Sequence, residues 1–187
     1  MSLLRTEETE VDGHRLRFAR MGRGTPLLLL HGYPDTLQIW SRLVPLLAER
    51  YEVIAFDWPG MGGSDPWPGG ASPFDLGRRV IRLLDHWGLE GAIIAGHDMG
   101  GQAALAAAAQ APERVERLIV MSSLVLWDEE TSWEIRLLRR YRLNRWLLLR
   151  MPRLVFRRAV STSLPPGERL PRELRDELWS RFRQPSS

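Results

Sequence analysis

The 187-residue chain has no cysteine, which excludes disulfides, thiol nucleophiles and cysteine-ligated metal centres. Lysine is also absent, so all 26 basic residues are arginine. No apolar run approaches the roughly 20 residues of a membrane-spanning helix. The opening stretch, residues 1–8, lacks the apolar core of a secretory signal. A cytoplasmic location without a membrane span is the resulting expectation. Histidine is scarce: the four are His14, His31, His86 and His97, and none follows residue 97.

What is present describes a globular domain. With 44% hydrophobic and 26% charged residues, the chain has enough apolar material for a core and is not of disordered composition. The net charge of +3 conceals an asymmetry, because residues 1–130 carry a net −6 and residues 131–187 a net +9. The basic part could suit an anionic partner. Its arginines, however, interleave with Leu, Trp and Phe at helical spacing, as on amphipathic helices with solvated charged faces. Nucleic acid is therefore not an expected partner.

Strand and helix patterns alternate through the first two thirds. Residues 15–20 alternate polar and apolar like a strand, and residues 26–30, 52–56 and 91–95 are short apolar runs of doubly buried strands. A further strand is predicted over 115–121. Helices are predicted over 39–49, over 101–110 and from Ser72, where Ser72-Pro73-Phe74-Asp75 reads as a helix start with Val80, Ile81, Leu84 and Trp87 on its buried face. Residues 59–72 read as a loop. This pattern predicts an α/β fold: a mainly parallel sheet with helices on both faces.

After about residue 126 the pattern becomes helical. Thr131-Ser132-Trp133-Glu134 resembles a capping box, Pro152 interrupts the helical stretch, and Leu174, Leu178 and Phe182 mark one face of a last helix. The expected division is a sheet-based core over 1–126 and a helical segment over 127–187.

The chemistry concentrates in Gly96-His97-Asp98-Met99-Gly100. It follows a buried strand and precedes a small-residue helix, the setting of a nucleophile elbow. The flanking glycines permit a sharp turn that lifts the central side chain to the carboxyl end of the sheet. That side chain is Asp98, where the esterase pattern has serine. A free aspartate, of pKa about 3.9, is ionised near neutrality and needs no base to act as a nucleophile. It can open an epoxide or displace a halide, giving an alkyl-enzyme ester whose release requires activated water. An aspartate after a strand can also simply cap the next helix.

Two other segments resolve that ambiguity. His31-Gly32-Tyr33-Pro34 follows one buried strand and Asp57-Trp58-Pro59-Gly60-Met61-Gly62-Gly63-Ser64-Asp65 another. With these H-G-x-P and D-x-P-G-x-G-x-S-D signatures, residues 11–126 resemble the α/β-hydrolase family, in its epoxide hydrolase and haloalkane dehalogenase-like branch. The resemblance implies that the Tyr33 and Met99 backbone N–H groups form an oxyanion hole. It also implies a cis Tyr33–Pro34 bond and supporting roles for His31, Gly32, Pro34, Gly96, His97 and Gly100. Residues 127–187 would then be an incomplete helical cap.

Substrate clues divide. Dehalogenases of this branch use a Trp after the nucleophile, and fluoroacetate-type enzymes an Arg; this chain has Met99. Epoxide hydrolases use cap tyrosines as hydrogen-bond donors, and Tyr141 is the candidate, with Trp146 nearby as an alternative halide contact. The favoured expectation is epoxide hydrolysis of a small, apolar molecule, with dehalogenation as the alternative. No metal or organic cofactor is implied, since neither a ligand cluster nor a dinucleotide fingerprint occurs. A homo-oligomer is left open.

The pattern also lacks something. In this family the order is nucleophile, acid, histidine, yet no histidine follows Asp98 and no apolar run after residue 160 supplies further strands. The sequence reads as the N-terminal two thirds of a larger enzyme. The ester is then expected to accumulate, and a non-catalytic binding protein or degenerate fragment is the reading from another class.

Overall fold

A computed structural model describes residues 2–123, 150–162, 164 and 167–182. Six strands form one sheet: β1 (Glu7–Val11), β2 (His14–Met21), β3 (Thr25–Leu30), β4 (Tyr51–Phe56), β5 (Ala92–His97) and β6 (Val115–Met121), in the order β1-β2-β4-β3-β5-β6. The β1-β2 and β2-β4 pairs are antiparallel, whereas β4-β3, β3-β5 and β5-β6 are parallel. Helices α1 (Val44–Leu47), α2 (Pro73–His86) and α3 (Met99–Gln110) belong to this core, followed later by α4 (Pro152–Thr162) and α5 (Arg172–Phe182).

The wholly apolar strands are explained by burial on both faces. Side chains alternate along a strand, so Leu28, Leu30, Ile54, Phe56 and Ile94 face the side covered by α2 and α3, joining Leu76, Val80, Leu83, Leu84 and buried alanines of α3. Leu27, Leu29, Val53, Ala55, Ile93 and Ala95 face the other side, against Leu37, Trp40 and Val44. Each of the buried Leu, Ile, Val and Phe side chains contributes roughly 1.5–3 kcal/mol on burial. The α2 start carries the full reciprocal cap: Asp75 N–H donates to Ser72 Oγ at 3.2 Å and Ser72 N–H to Asp75 Oδ2 at 3.1 Å.

Two local expectations are corrected. Residues 39–49 do not form one helix: a 3-10 turn occupies Leu37–Trp40 and α1 covers only Val44–Leu47. Pro45 is the cause. It has no N–H to donate to the preceding turn and is accommodated only where a helix begins. The strand β1 was not anticipated, because EETEV is nearly all polar and sits at the sheet edge. Its turn was legible: Asp12 and Gly13 both have positive φ, 52° and 81°, as the two-residue Asp-Gly hairpin requires.

The last two helices pack together through Phe156, Leu174 and Leu178, with the Phe156 and Trp179 rings 5.3 Å apart. The interruption at Pro152 is where α4 begins, and Arg153, Arg157, Arg158, Arg172 and Arg175 are exposed, as solvated charges of amphipathic helices. Glu177 ties α5 to the sheet by accepting from Arg17 at 2.7 Å. The expected boundary at 126/127 and the capping box at 131–134 lie outside the described residues. Among those described, no helix is long and apolar enough to cross a membrane.

Among the described residues β6 has no outer neighbour, and Leu118, Ile119 and Val120 are exposed. An open apolar strand edge favours edge-to-edge pairing. Ile119→Lys is expected to reduce concentration-dependent association in light scattering; association unchanged by the substitution would show that this edge is not the sticky surface.

Candidate active site

The site lies at the carboxyl ends of β3 and β5, adjacent parallel strands, where loops leave an open α/β sheet and create a crevice. From β3 come His31, Gly32, Tyr33 and Pro34; from β5 and the start of α3 come Gly96, His97, Asp98, Met99 and Gly100. Two segments separated by more than 60 residues thus meet, as the motif pairing predicts. Tyr141 and Trp146 lie outside the described residues.

Asp98 occupies a sharp turn with φ 52° and ψ −120°, a conformation that costs a non-glycine residue on the order of 1–3 kcal/mol. Hydrogen bonds hold it there. Its N–H donates to Met121 O at 3.1 Å, its carbonyl accepts from Gly101 N–H at 3.0 Å, and Ser123 Oγ donates to the same carbonyl at 2.6 Å. The flanking glycines are required by close approach. A Cβ on Gly96 would collide with the Gly100 carbonyl, and one on Gly100 with the Leu30 carbonyl. Gly32 likewise leaves room for the aspartate, since a Cβ there would sit 2.6 Å from Asp98 Cβ.

Tyr33 N–H donates to Asp98 Oδ2 at 3.0 Å, so one of the two backbone donors of the expected oxyanion hole already faces the carboxylate. Met99 is the first residue of α3, which puts its N–H at a helix N-terminus, where negative charge is favoured. The Tyr33–Pro34 bond is cis. Asp35 N–H donates to Gly32 O at 3.1 Å, closing the loop into a four-residue turn.

His31 is fully buried and uncharged. Its Nδ1 lies 2.8 Å from Gly32 O, which can only accept, so Nδ1 carries the proton; Nε2 accepts from Trp58 N–H at 3.2 Å. Burial lowers its pKa, opposed by Asp57. Trp58 Nε1 completes the join by donating to His31 O at 2.8 Å. His31 is therefore a strut between the β3 and β4 ends. The buried Nδ1 of His97 has no hydrogen-bond partner among the described residues.

Two residues escaped the sequence reading. Asp57 opens the second motif and proves to be its hub: its carboxylate accepts from Leu37 N–H (2.7 Å), Gly63 N–H (2.8 Å) and Arg17 Nη1 (3.1 Å). Asp57 thereby fixes the loop that presents Tyr33. Its position beside a tight Gly-rich turn was the available signal. Asp35, directly after the H-G-x-P motif, is the other. Burial, then the negative charge of Asp98, push its carboxyl up to about 6. Among the described residues no group of three or more His, Cys, Asp or Glu could hold a metal ion.

Comparison with known proteins bears on the family and the fold. The alpha/beta hydrolase fold family model matches residues 25–166. A soluble epoxide hydrolase of Corynebacterium sp. strain C12 is 34% identical over 114 residues, 61% of this chain and 40% of that protein. The dihydrolipoyllysine-residue acetyltransferase component of the acetoin cleaving system of Cupriavidus necator is 37% identical over 124 residues, 66% of this chain and 33% of that protein. The solved structure of the epoxide hydrolase CorEH without ligand superposes with a TM-score of 0.82 at 25% identity, covering 97% of this chain and 69% of that one. The alignments thus span about a third to two fifths of the curated relatives, whose names cover different chemistries.

Two outcomes follow. Asp57→Ala is expected to cost about 3–5 kcal/mol in chemical denaturation, because it strips the buried Arg17 of a partner and orphans two backbone donors; a cost below about 1 kcal/mol would contradict the hub role. For Asp35 the folded pKa lies above the unfolded 3.8, so the wild type loses stability as pH rises from about 3.8 to about 6. Asp35→Asn should therefore gain stability relative to wild type across that window, whereas parallel pH profiles would contradict the burial of the carboxyl.

Proposed function

Because the chain belongs to the α/β-hydrolase fold family, matched from residue 25 to 166, we propose that it attacks epoxides with Asp98 to form an alkyl-enzyme ester. The observation that carries this reading is the Asp98 carboxylate on the elbow, with Oδ2 held 3.0 Å from Tyr33 N–H. A hydrogen bond to one oxygen leaves the other free to attack. The same N–H, with that of Met99, then stabilises negative charge on Oδ2 when the ester carbonyl is attacked by water. Preorganised donors of this kind are worth on the order of 3–4 kcal/mol in rate-limiting acyl chemistry.

The reaction runs in two stages. Asp98 Oδ1 bonds to an epoxide carbon, that carbon's bond to the ring oxygen breaks, and the oxygen takes up a proton. Water then adds to Asp98 Cγ, and the alkyl oxygen leaves with a proton as the diol. Tyr141 is the proposed donor to the ring oxygen. Met99 in place of a halide-binding tryptophan argues for the epoxide over the halide. The similarity to the Corynebacterium epoxide hydrolase points the same way. The substrate is a small, apolar epoxide, and no cofactor enters the chemistry.

The covalent ester is the species that the proposal can be tested on directly. Intact mass after exposure to styrene oxide is expected to show one covalent adduct, absent from Asp98→Asn. Absence of an adduct from the wild type would favour the binding-protein reading.

A further inference from the structure

We propose that Glu177 is a positioning residue of the Asp98 site. By seating α5 on Arg17 it fixes, through Asp57, the loop that aims the Tyr33 N–H at Asp98. The bearing on catalysis rests on the nucleophilic role of Asp98, whereas the placing of the N–H stands on geometry alone.

The contacts start on the late helix. Glu177 Oε1 accepts from Arg17 Nη1 at 2.7 Å, and the same Nη1 donates to Asp57 Oδ2 at 3.1 Å. Arg181 Nε lies 3.6 Å from Glu177 Oε1. Charges therefore alternate along the row Asp57, Arg17, Glu177, Arg181. The side chains of Asp57, Arg17 and Glu177 are 0%, 8% and 13% exposed, so water offers little in place of a lost partner. Removing one charge from such a row leaves another uncompensated. In the described residues, Leu174 and Leu178 of α5 cluster with Phe156 and not with either sheet-facing cluster. Glu177 thus gives the helix a link to the sheet that its apolar packing does not.

Arg17 is not free to follow the helix away. Its N–H donates to Ser64 Oγ at 3.0 Å, and its stem packs on Gly63, where a Cβ would sit 2.5 Å from Arg17 Cδ. Its guanidinium therefore answers to the two carboxylates that flank it.

Asp57 passes the position on. Its Oδ2 also accepts from Gly63 N–H at 2.8 Å, and its Oδ1 accepts from Leu37 N–H at 2.7 Å. One planar carboxylate serves Arg17 with one oxygen and the loop with the other, so a rotation that follows Arg17 moves the acceptor that Leu37 needs. Between Leu37 and Tyr33 the loop has little slack. Asp35 N–H closes onto Gly32 O at 3.1 Å, and Ile39 N–H onto Thr36 O at 3.1 Å. At the far end Tyr33 N–H meets Asp98 Oδ2 at 3.0 Å. Coupling over such a distance needs a contiguous network and an element with two arrangements. The element is α5, seated or released.

The test reads the Tyr33 N–H itself. The 187-residue chain has three tyrosines, Tyr33, Tyr51 and Tyr141. Labelling tyrosine with heavy nitrogen therefore gives three amide resonances, assigned with Tyr51→Phe and Tyr141→Phe. In Glu177→Gln the Tyr33 resonance is expected to shift, and its amide to exchange with solvent on the order of 10-fold faster. Tyr51, at the opposite end of β4 from Asp57, keeps its wild-type values. Glu177→Asp, which retains the charge, recovers part of the protection. With styrene oxide, Glu177→Gln is expected to form the adduct on the order of 10-fold more slowly at saturating epoxide, with the half-saturating concentration unchanged.

A Tyr33 amide that is unchanged in Glu177→Gln overturns the proposal. So does equal loss of protection at Tyr33 and Tyr51, which is what a merely structural role produces. An unchanged maximal rate of adduct formation overturns the positioning role. No adduct in the wild type overturns the Asp98 reading alone, because the amide comparison still decides the placing of the N–H. If Glu177→Gln does not fold, native-state hydrogen exchange of the wild type decides. Opening of the Tyr33 amide with the same urea dependence as the α5 amides supports the coupling, and independent opening overturns it.

Discussion

The close approach of β3, β5 and α3 around Asp98 governs the site. Gly32, Gly96 and Gly100 remove the three Cβ atoms that would block it. The backbone can then be held at φ 52° by hydrogen bonds from three directions. The strained turn is tolerated because the sheet beneath it is buried on both faces, with Leu28, Leu30, Ile54 and Ile94 almost entirely excluded from solvent. A rigid scaffold supports a local conformation that would not persist on its own.

A second constraint acts from β4. Asp57 is fully buried and satisfies donors from Leu37, Gly63 and Arg17, so three separate segments are referred to one carboxylate. One of these bonds ends the loop that carries Tyr33 and Asp35. The same Arg17 reaches Glu177 on α5 at 2.7 Å, which links the late helices to the core through a buried charge network. Breaking such a network leaves an unpaired buried charge and is costly. The orientation of the Tyr33 N–H is therefore secured from beneath the site and not only by its own turn.

Much of this was legible in the residues. The strands β3, β4 and β5 announce themselves because burial on both faces demands continuous apolar runs. The elbow was recognisable because its glycines answer steric needs that recur wherever a strand turns sharply into a helix. The exceptions have equally local causes. Pro45 splits what periodicity read as one helix, since spacing of apolar residues is blind to a missing N–H. The β1 edge strand escaped because solvent on its outer side permits glutamates where alternation looks for apolar residues. Asp57 was read only as the first residue of a motif and Asp35 was not read at all, while their surroundings include residues 20 and 63 positions away in the chain. No pattern of neighbouring residues shows such partners.

The central claim is that Asp98 is a nucleophile, and the most direct test is to locate the bond it forms. The protein would be treated with styrene oxide, quenched in acid, digested, and the modified peptide fragmented by mass spectrometry. The account predicts an alkyl ester on the Asp98 side chain. Modification confined to other carboxylates or to histidine, with Asp98 intact, would contradict it.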